Sequence, residues 1–561
     1  MRTNRIGRML AFCFALLIAV SAVQCSVVSA SAAALPGDTW TEGSITATLD
    51  TKEQEAENVT VNAYKLVSVH TAQLGGTDST VYQPAMPEYT WESGIADWVR
   101  DNYSAYISDT GDNSVQEVFS TGNEDRSKDI SAAVAANFYA EIEAGIMGGT
   151  IHLSPVPLTV SGKTASVSGL TMGVYLVTAT GGTAVYRPTV AMITPEESNG
   201  SWTITETAQV VLKSSPVSLV KTITAVNAAS DNVVSGDGKH AVAGIGDTVS
   251  YKLEVDVPEY PSQSVSRAFI IKDTLPEGLT LTQGTIKVKM SDGTELQNLS
   301  DRIRVEGQVL TIDLTPDANK TIQNPIDGKR KLLVTYDAKL NAKATLGKAG
   351  NVNTASLTYS NNPYNEASAK IVDDIATVYT FGIEVTKVQK GTTNPLSGAQ
   401  FELKDAGSIP IKFSDGYVKS ADGAATPTTG TDGKLTLKGL APGTYKLKET
   451  KAPAGYVLSA AETEITIADT NFNGIPDSKE QPTTDTTTTD TTTTDTTTTQ
   501  TTEKDKDNGL VSITVENTKG CTLPQTGGIG TVLFSMIGIV LMGSGVLLVA
   551  VFLRKRFGKS R

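Results

Sequence analysis

Gly443-Thr444-Tyr445-Lys446-Leu447-Lys448-Glu449 alternates its side-chain character with a period of two, the pattern of a strand with one face buried and one in water. Parity puts Tyr445, Leu447 and Glu449 on one face and turns Lys446 and Lys448 out. A glutamate therefore faces the same way as the strand's apolar residues. Two other strands carry the same anomaly. In 383–387, Ile383, Val385 and Lys387 share a face opposite Glu384 and Thr386; in 511–517, Val511, Ile513, Val515 and Asn517 share one. A lysine, a carboxyl and an amide thus point inward from three strands. Burying unpaired charge is costly, so desolvation should drive Lys387 toward its neutral amine and Glu449 toward the acid. A neutral amine is a nucleophile. With Glu449 polarising the Asn517 carbonyl and moving protons, it can expel ammonia and leave an isopeptide bond. A buried Lys-Glu ion pair with Asn517 as hydrogen-bond partner would use the same three residues, and parity leaves the two readings open.

Upstream, the arrangement recurs. Val217, Leu219, Lys221 and Ile223 share a face, as do Phe269, Ile271 and Asp273, and Asn353, Ala355, Leu357 and Tyr359. Lys221, Asp273 and Asn353 form the matching set; Asn351 has the same parity but follows Gly350 at the strand edge. Around them, short alternating runs such as 249–257, 285–290, 309–314 and 332–340 are separated by Gly, Pro, Asn and Asp turns, as in an immunoglobulin-like β-sandwich. The chain reads as mainly β, with tandem sandwiches at 214–380 and 381–520. Lys387 and Asn517 lie on the first and last strands of the third domain, and Lys221 and Asn353 are expected to be similarly placed in the second.

The first domain, 35–213, mixes strands at 59–69 and 174–179 with helical spacing at 91–106 and 129–144. Its Gly169-Leu170-Thr171-Met172-Gly173-Val174-Tyr175 is a turn feeding a strand, related to the run ending at Tyr445. No comparable lysine, acid and amide set is visible there. At its end, Lys213 shares a strand face with Thr205, Thr207 and Gln209, opposite the apolar Ile204, Ala208, Val210 and Leu212, and should be exposed.

The ends of the chain set its compartment. Arg2, Arg5 and Arg8 precede the apolar run 9–23 and small residues at 26–34, as in a secretory signal peptide spanning 1–34. Gln24 before Cys25 does not suit a lipoprotein signal. At the other end, Leu523-Pro524-Gln525-Thr526-Gly527 precedes an uncharged run, 532–553, and a basic tail of Arg554, Lys555, Arg556, Lys559 and Arg561. As a helix that run is about 33 Å long, enough to cross a membrane once, with the basic tail held in the cytoplasm. The segment 523–561 is therefore an anchor. Loss of leader and tail takes the formal charge from −13 to about −21, which disfavours nucleic acid as a partner. The mature chain keeps only Cys521 of three cysteines, so disulfides cannot brace it. Three isolated histidines, His70, His152 and His240, and the lack of a phosphate loop, paired-His zinc motif or nucleophile elbow give no site for an enzyme acting on a soluble substrate.

Two segments of the third domain stand apart. Threonine runs at 481–502, with Asp485, Asp490 and Asp495 five apart, cannot bury a core and read as an insertion, either a glycosylated loop or a neutral expansion. Just before it, Asp469, Asn471, Asn473, Asp477 and Glu480, with Gly474 at position six, fit the spacing of a calcium loop; an Asn/Asp-rich turn is the alternative. No cofactor is otherwise required.

The pentapeptide Leu523–Gly527 with its helix and basic tail resembles the cell-wall sorting signal of Gram-positive surface proteins, which a sortase cleaves between Thr and Gly. Gly246-Asp247-Thr248-Val249-Ser250-Tyr251 and Asp273-Thr274-Leu275-Pro276-Glu277-Gly278-Leu279 resemble the middle domain of fimbrial shaft subunits. The runs 384–387, 396–403 and 440–456 resemble collagen-adhesin B-type domains and, for the last of these, the E-box of pilins. The chain is thus similar to the major pilins of sortase-assembled pili. That resemblance implies isopeptide bonds Lys221–Asn353 and Lys387–Asn517, with Asp273 and Glu449 as the catalytic acids. It implies Thr526 as acyl donor and a lysine before the second domain as acceptor, here Lys213, although the usual Tyr-Pro is missing. Its implied partners are a pilin-polymerising and a housekeeping sortase, identical subunits, minor pilins, peptidoglycan and a host surface ligand. A wall-anchored adhesin or an unpolymerised tip or base pilin is the other reading.

Overall fold

The computed structural model describes residues 26–29, 40–51, 56–71, 87–116, 132–198, 201–228, 232–260, 264–296, 299–315, 331–365, 368–418, 425–480, 507–520 and 529–557. The leader apart from 26–29, the threonine-rich run, Cys521 and the 523–527 pentapeptide lie outside them. The chain forms two compact units. One comprises Met1–Thr380 with Asp469–Asp477 and Thr489–Gly509; the other comprises Phe381–Ala468 with Ser478–Thr488 and Leu510–Arg561.

The first unit holds two hydrophobic cores, one built from residues between Ile45 and Leu212, the other from Val185 and residues between Val217 and Val378. Around the first core runs an eleven-stranded sheet in which the strands Gly43–Asp50 and Ser201–Ser215 lie side by side and parallel. Helices Ser93–Asn102 and Ala132–Met147 are inserted between its strands. Ile95 and Val99 of the first, and Phe138 and Ile142 of the second, are buried, the spacing of an apolar helical stripe. The helix expected from residue 91 begins two residues later because Glu88–Trp91 pairs as a strand with Val59–His70.

The second core lies between two antiparallel-dominated sheets. One has the order Leu219–Val226, Thr248–Asp256, Lys331–Leu340, Leu279–Met290; the other His240–Val242, Lys370–Tyr379, Asn351–Tyr359, Phe269–Thr274, Val309–Asp313, Ile303–Glu306. The strand Lys370–Tyr379 was not legible in the sequence. Its first six residues are not buried and include Asp373 and Asp374, so its alternation is blurred. It corrects one expectation: Asn353 sits on the penultimate strand of this sandwich, paired with Ala376 of the last.

The second unit is also a sandwich. Its five-stranded sheet includes Lys434–Leu440, Phe381–Gln389 and Leu510–Asn517, and its four-stranded sheet includes Gln400–Lys404, Gly443–Lys451 and Glu462–Ile467. Phe381–Gln389 and Leu510–Asn517 are parallel neighbours, with Gln389 opposite Asn517. Here the first and last strands adjoin. The run quoted from residue 443 is a strand with Tyr445, Leu447 and Glu449 buried. The Tyr445 hydroxyl donates to the Ala441 carbonyl at 2.6 Å, and the Tyr175 hydroxyl to the Thr171 carbonyl at 2.8 Å, so the related turns close in the same way. Gly169 and Gly439, at φ of 81° and 85°, supply the left-handed residue in each.

Candidate functional site

In the second unit, Lys387, Glu449 and Asn517 are at most 2% exposed. The parallel pairing brings Lys387 and Asn517 onto adjacent strands of one sheet, and the facing sheet supplies Glu449. Lys387 Nζ donates to Asn517 Oδ1 and, at 3.2 Å, to the Val515 carbonyl. Asn517 Nδ2 donates to both Glu449 oxygens at 3.0 Å, and Lys387 Nζ lies 3.6 Å from Glu449 Oε1. Burial pushes the Lys387 amine below its ordinary pKa, against the attraction of Glu449. This geometry suits amide exchange. The amine abuts the carbonyl side of the carboxamide, while the acid touches the nitrogen that would leave.

In the first unit, Lys221, Asp273 and Asn353 are 0% exposed. Lys221 comes from one sheet of the sandwich, Asp273 and Asn353 from adjacent strands of the other. Lys221 Nζ is 2.6 Å from Asp273 Oδ2, and burial drives its pKa down while Asp273 opposes the shift. Asn351 is not part of this cluster. Its side chain bonds the backbone of Thr345 and Val378. One residue absent from the sequence reading is central here: Tyr336, whose hydroxyl lies within 2.9 Å of the lysine amine, the acid and the amide nitrogen. Its inward parity was visible in 332–340, but Tyr251 and Tyr359 share that property, so parity could not select it.

The first domain carries apolar residues where such a set would stand. Ala47 and Leu49 on its first strand and Val210 and Leu212 on its last are buried. Counting from Tyr175 as from Tyr445, Ala179 takes the place of Glu449. Lys213 is exposed near the end of the last strand, opposite Asp50, and its carbonyl accepts the Arg187 N–H at 2.9 Å.

In the loop beginning at Asp469, two of the carboxylates of the expected calcium set meet donors of the loop itself, while the side chain of Glu480 lies outside the described ones. Asp469 accepts the N–H of Asn473 at 3.1 Å and of Gly474 at 2.9 Å, and Asp477 accepts the Thr470 N–H and hydroxyl at 3.0 Å. Among the described residues no three acidic, histidine or cysteine side chains are grouped to hold a metal. These bonds are those of an Asx-type turn, and a carboxylate, with about four lone-pair sites, can make them and still face a cation.

Residues 381–482 match the SpaA prealbumin-like fold domain, and residues 515–556 the LPXTG cell wall anchor motif. The trypsin-resistant surface T6 protein of Streptococcus pyogenes serotype M6 is 26% identical over 386 residues, 59% of this chain and 68% of that one. In sequence this chain is similar to that streptococcal surface protein. The solved three-domain T6 backbone pilin of that serotype superposes with a TM-score of 0.55 at 19% identity, over 86% of this chain and 99% of that one. The major pilin SpaD of Corynebacterium diphtheriae gives a TM-score of 0.45 at 19% identity, over 85% and 98%. The helix Ile529–Phe557 follows the anchor motif and contains a span, Phe534–Arg556, long and apolar enough to cross a membrane. The protein is anchored to the cell wall at the surface.

Proposed function

We propose that this chain is the structural backbone subunit of a covalently polymerised pilus, braced inside by Lys387–Asn517 and Lys221–Asn353 isopeptide bonds. The observation that carries this reading is the third-domain cluster, where a buried amine, a carboxamide and a carboxyl meet in contact. A buried ion pair alone would be a poor source of stability. In this proposal a pilin-polymerising sortase cleaves after Thr526 and transfers its acyl group to Lys213 of the next subunit. A housekeeping sortase then joins the fibre to peptidoglycan, minor pilins complete it, and it supports adhesion to a host surface. The amide bonds form autocatalytically, and the chain has no other enzymatic role. Exposure of Lys213 beside a folded domain suits an acceptor.

The test is the high-molecular-weight ladder in wall extracts of a sortase-bearing Gram-positive host. The wild-type chain is expected to give a ladder, and Lys213→Ala to collapse it to monomer that still reaches the wall. An undiminished ladder in the variant would move the acceptor elsewhere. A wild-type chain found only as monomer would favour the unpolymerised adhesin.

A further inference from the structure

The two clusters differ at the nitrogen that must leave. In the third domain Glu449 holds Asn517 Nδ2 directly, with both oxygens at 3.0 Å. In the second domain the acid is one methylene shorter, and Asp273 makes no hydrogen bond to Asn353 among the described residues. Asn353 Nδ2 donates instead to Tyr336 Oη at 2.8 Å, and Tyr336 Oη donates to Asp273 Oδ2 at 2.7 Å. Lys221 Nζ contacts the same two atoms, at 2.9 Å from Tyr336 Oη and 2.6 Å from Asp273 Oδ2. Among the described residues Asp273 Oδ1 and Asn353 Oδ1 are buried without a hydrogen-bond partner, and the Tyr336 hydroxyl is the one bridge between acid and amide. Its position is fixed by the Tyr336 ring, which stacks on Tyr251 with centroids 5.2 Å apart.

We propose that Tyr336 is a catalytic residue of amide formation in the second domain, relaying a proton from Asp273 to the departing Asn353 nitrogen. This rests on the reading that Lys221 and Asn353 become joined. Lys221 Nζ, as the neutral amine, forms a bond to Asn353 Cγ. Tyr336 gives its hydroxyl proton to Nδ2 and takes the proton of the Asp273 acid. The Cγ–Nδ2 bond breaks with its electron pair on nitrogen, and ammonia leaves with two protons of its own and the one delivered. Asp273 then recovers a proton from the former amine. The sum is amine plus carboxamide giving amide plus ammonia, with tyrosine and acid unchanged. Burial pushes the Tyr336 hydroxyl well above its usual range, so it passes protons without resting as a phenolate.

The experiment follows both linkages in the full chain, made by cell-free synthesis in detergent and sampled over time by peptide mass spectrometry. Tyr336→Phe keeps the ring and removes the relay. The Lys221–Asn353 linkage should then form about 100-fold more slowly or worse, the range for loss of a general acid–base group, while Lys387–Asn517 keeps its wild-type rate. Linkage of Lys221 to Asn353 at the wild-type rate in this variant overturns the relay. If the wild-type chain never forms that linkage, the bond itself is refuted, a different outcome. Site-specific 3-fluorotyrosine at position 336 guards against a folding defect, since it preserves shape but makes the hydroxyl more acidic. The relay requires its pH–rate profile for the second-domain linkage to shift; an unmoved profile would leave Tyr336 a packing residue and overturn the proposal.

Discussion

Stretching the chain from both ends separates the domains by what their crosslinks enclose. An unfolded strand contributes about 3.4 Å per residue. The first domain, with strands from Gly43 to Ser215 and apolar residues where a triad would be, should release about 580 Å of contour. In the third domain a Lys387–Asn517 bond encloses nearly everything between the first strand and the end of the last, so the wild-type domain should lengthen by only a few residues. Glu449→Ala removes the proton shuttle and should restore about 440 Å. The second domain should behave differently from the third. Asn353 lies on the penultimate strand, so the chain from 354 to 380, including the strand Lys370–Tyr379, is outside the loop closed by Lys221. It should give a step of about 90 Å. Single-molecule force spectroscopy with handles at both ends reads all three steps. Moving the first handle to residue 213 should abolish the 580 Å step, because tension entering at that residue bypasses the first domain. A step of about 470 Å from the third domain of wild-type protein would refute the enclosure reasoning.

Three shorter tests accompany it. Each isopeptide bond expels ammonia, so intact mass should fall about 34 Da below the sequence value for two bonds, with Glu449→Ala recovering half; a wild-type mass equal to the sequence mass would exclude both bonds. Buried Glu143 accepts the Tyr364 hydroxyl at 2.9 Å, and burial raises its pKa from 4.5 to about 8. The unfolded chain therefore ionises first. Stability from this group is complete below about 4.5 and lost as pH rises to about 8, on the order of a few kcal/mol; Glu143→Gln should flatten that part of the melting-temperature profile, and an unchanged slope would contradict the assignment. If Asp469, Asn471, Asn473, Asp477 and Glu480 hold calcium, chelation should lower the melting temperature, since a ligand bound only by the native state stabilises it; identical melting in calcium and in chelator would make the segment an ordinary turn.

What the sequence determined by itself was direction. Side chains alternate along a strand because of covalent backbone geometry, so the inward aim of Lys387, Glu449, Asn517, Lys221, Asp273 and Asn353 was legible without knowing any strand's neighbour. The apolar helix after the anchor motif was equally local, being a matter of length and composition. Distance and partnership were decided only by the tertiary structure. Which of three inward tyrosines sets its hydroxyl on the second-domain cluster depends on where Lys331–Leu340 lies in its sheet, paired with Thr248–Asp256 about 80 residues away in sequence. That Asn353 is one strand short of the exit depends on Lys370–Tyr379, a strand held by pairing with Asn351–Tyr359 more than by its own alternation. The Asp469 loop illustrates the same division. Oxygen spacing along the chain suits a cation, while the turn that aims Asp469 at the N–H groups of Asn473 and Gly474 exists only in three dimensions, because a short loop must satisfy its own buried donors.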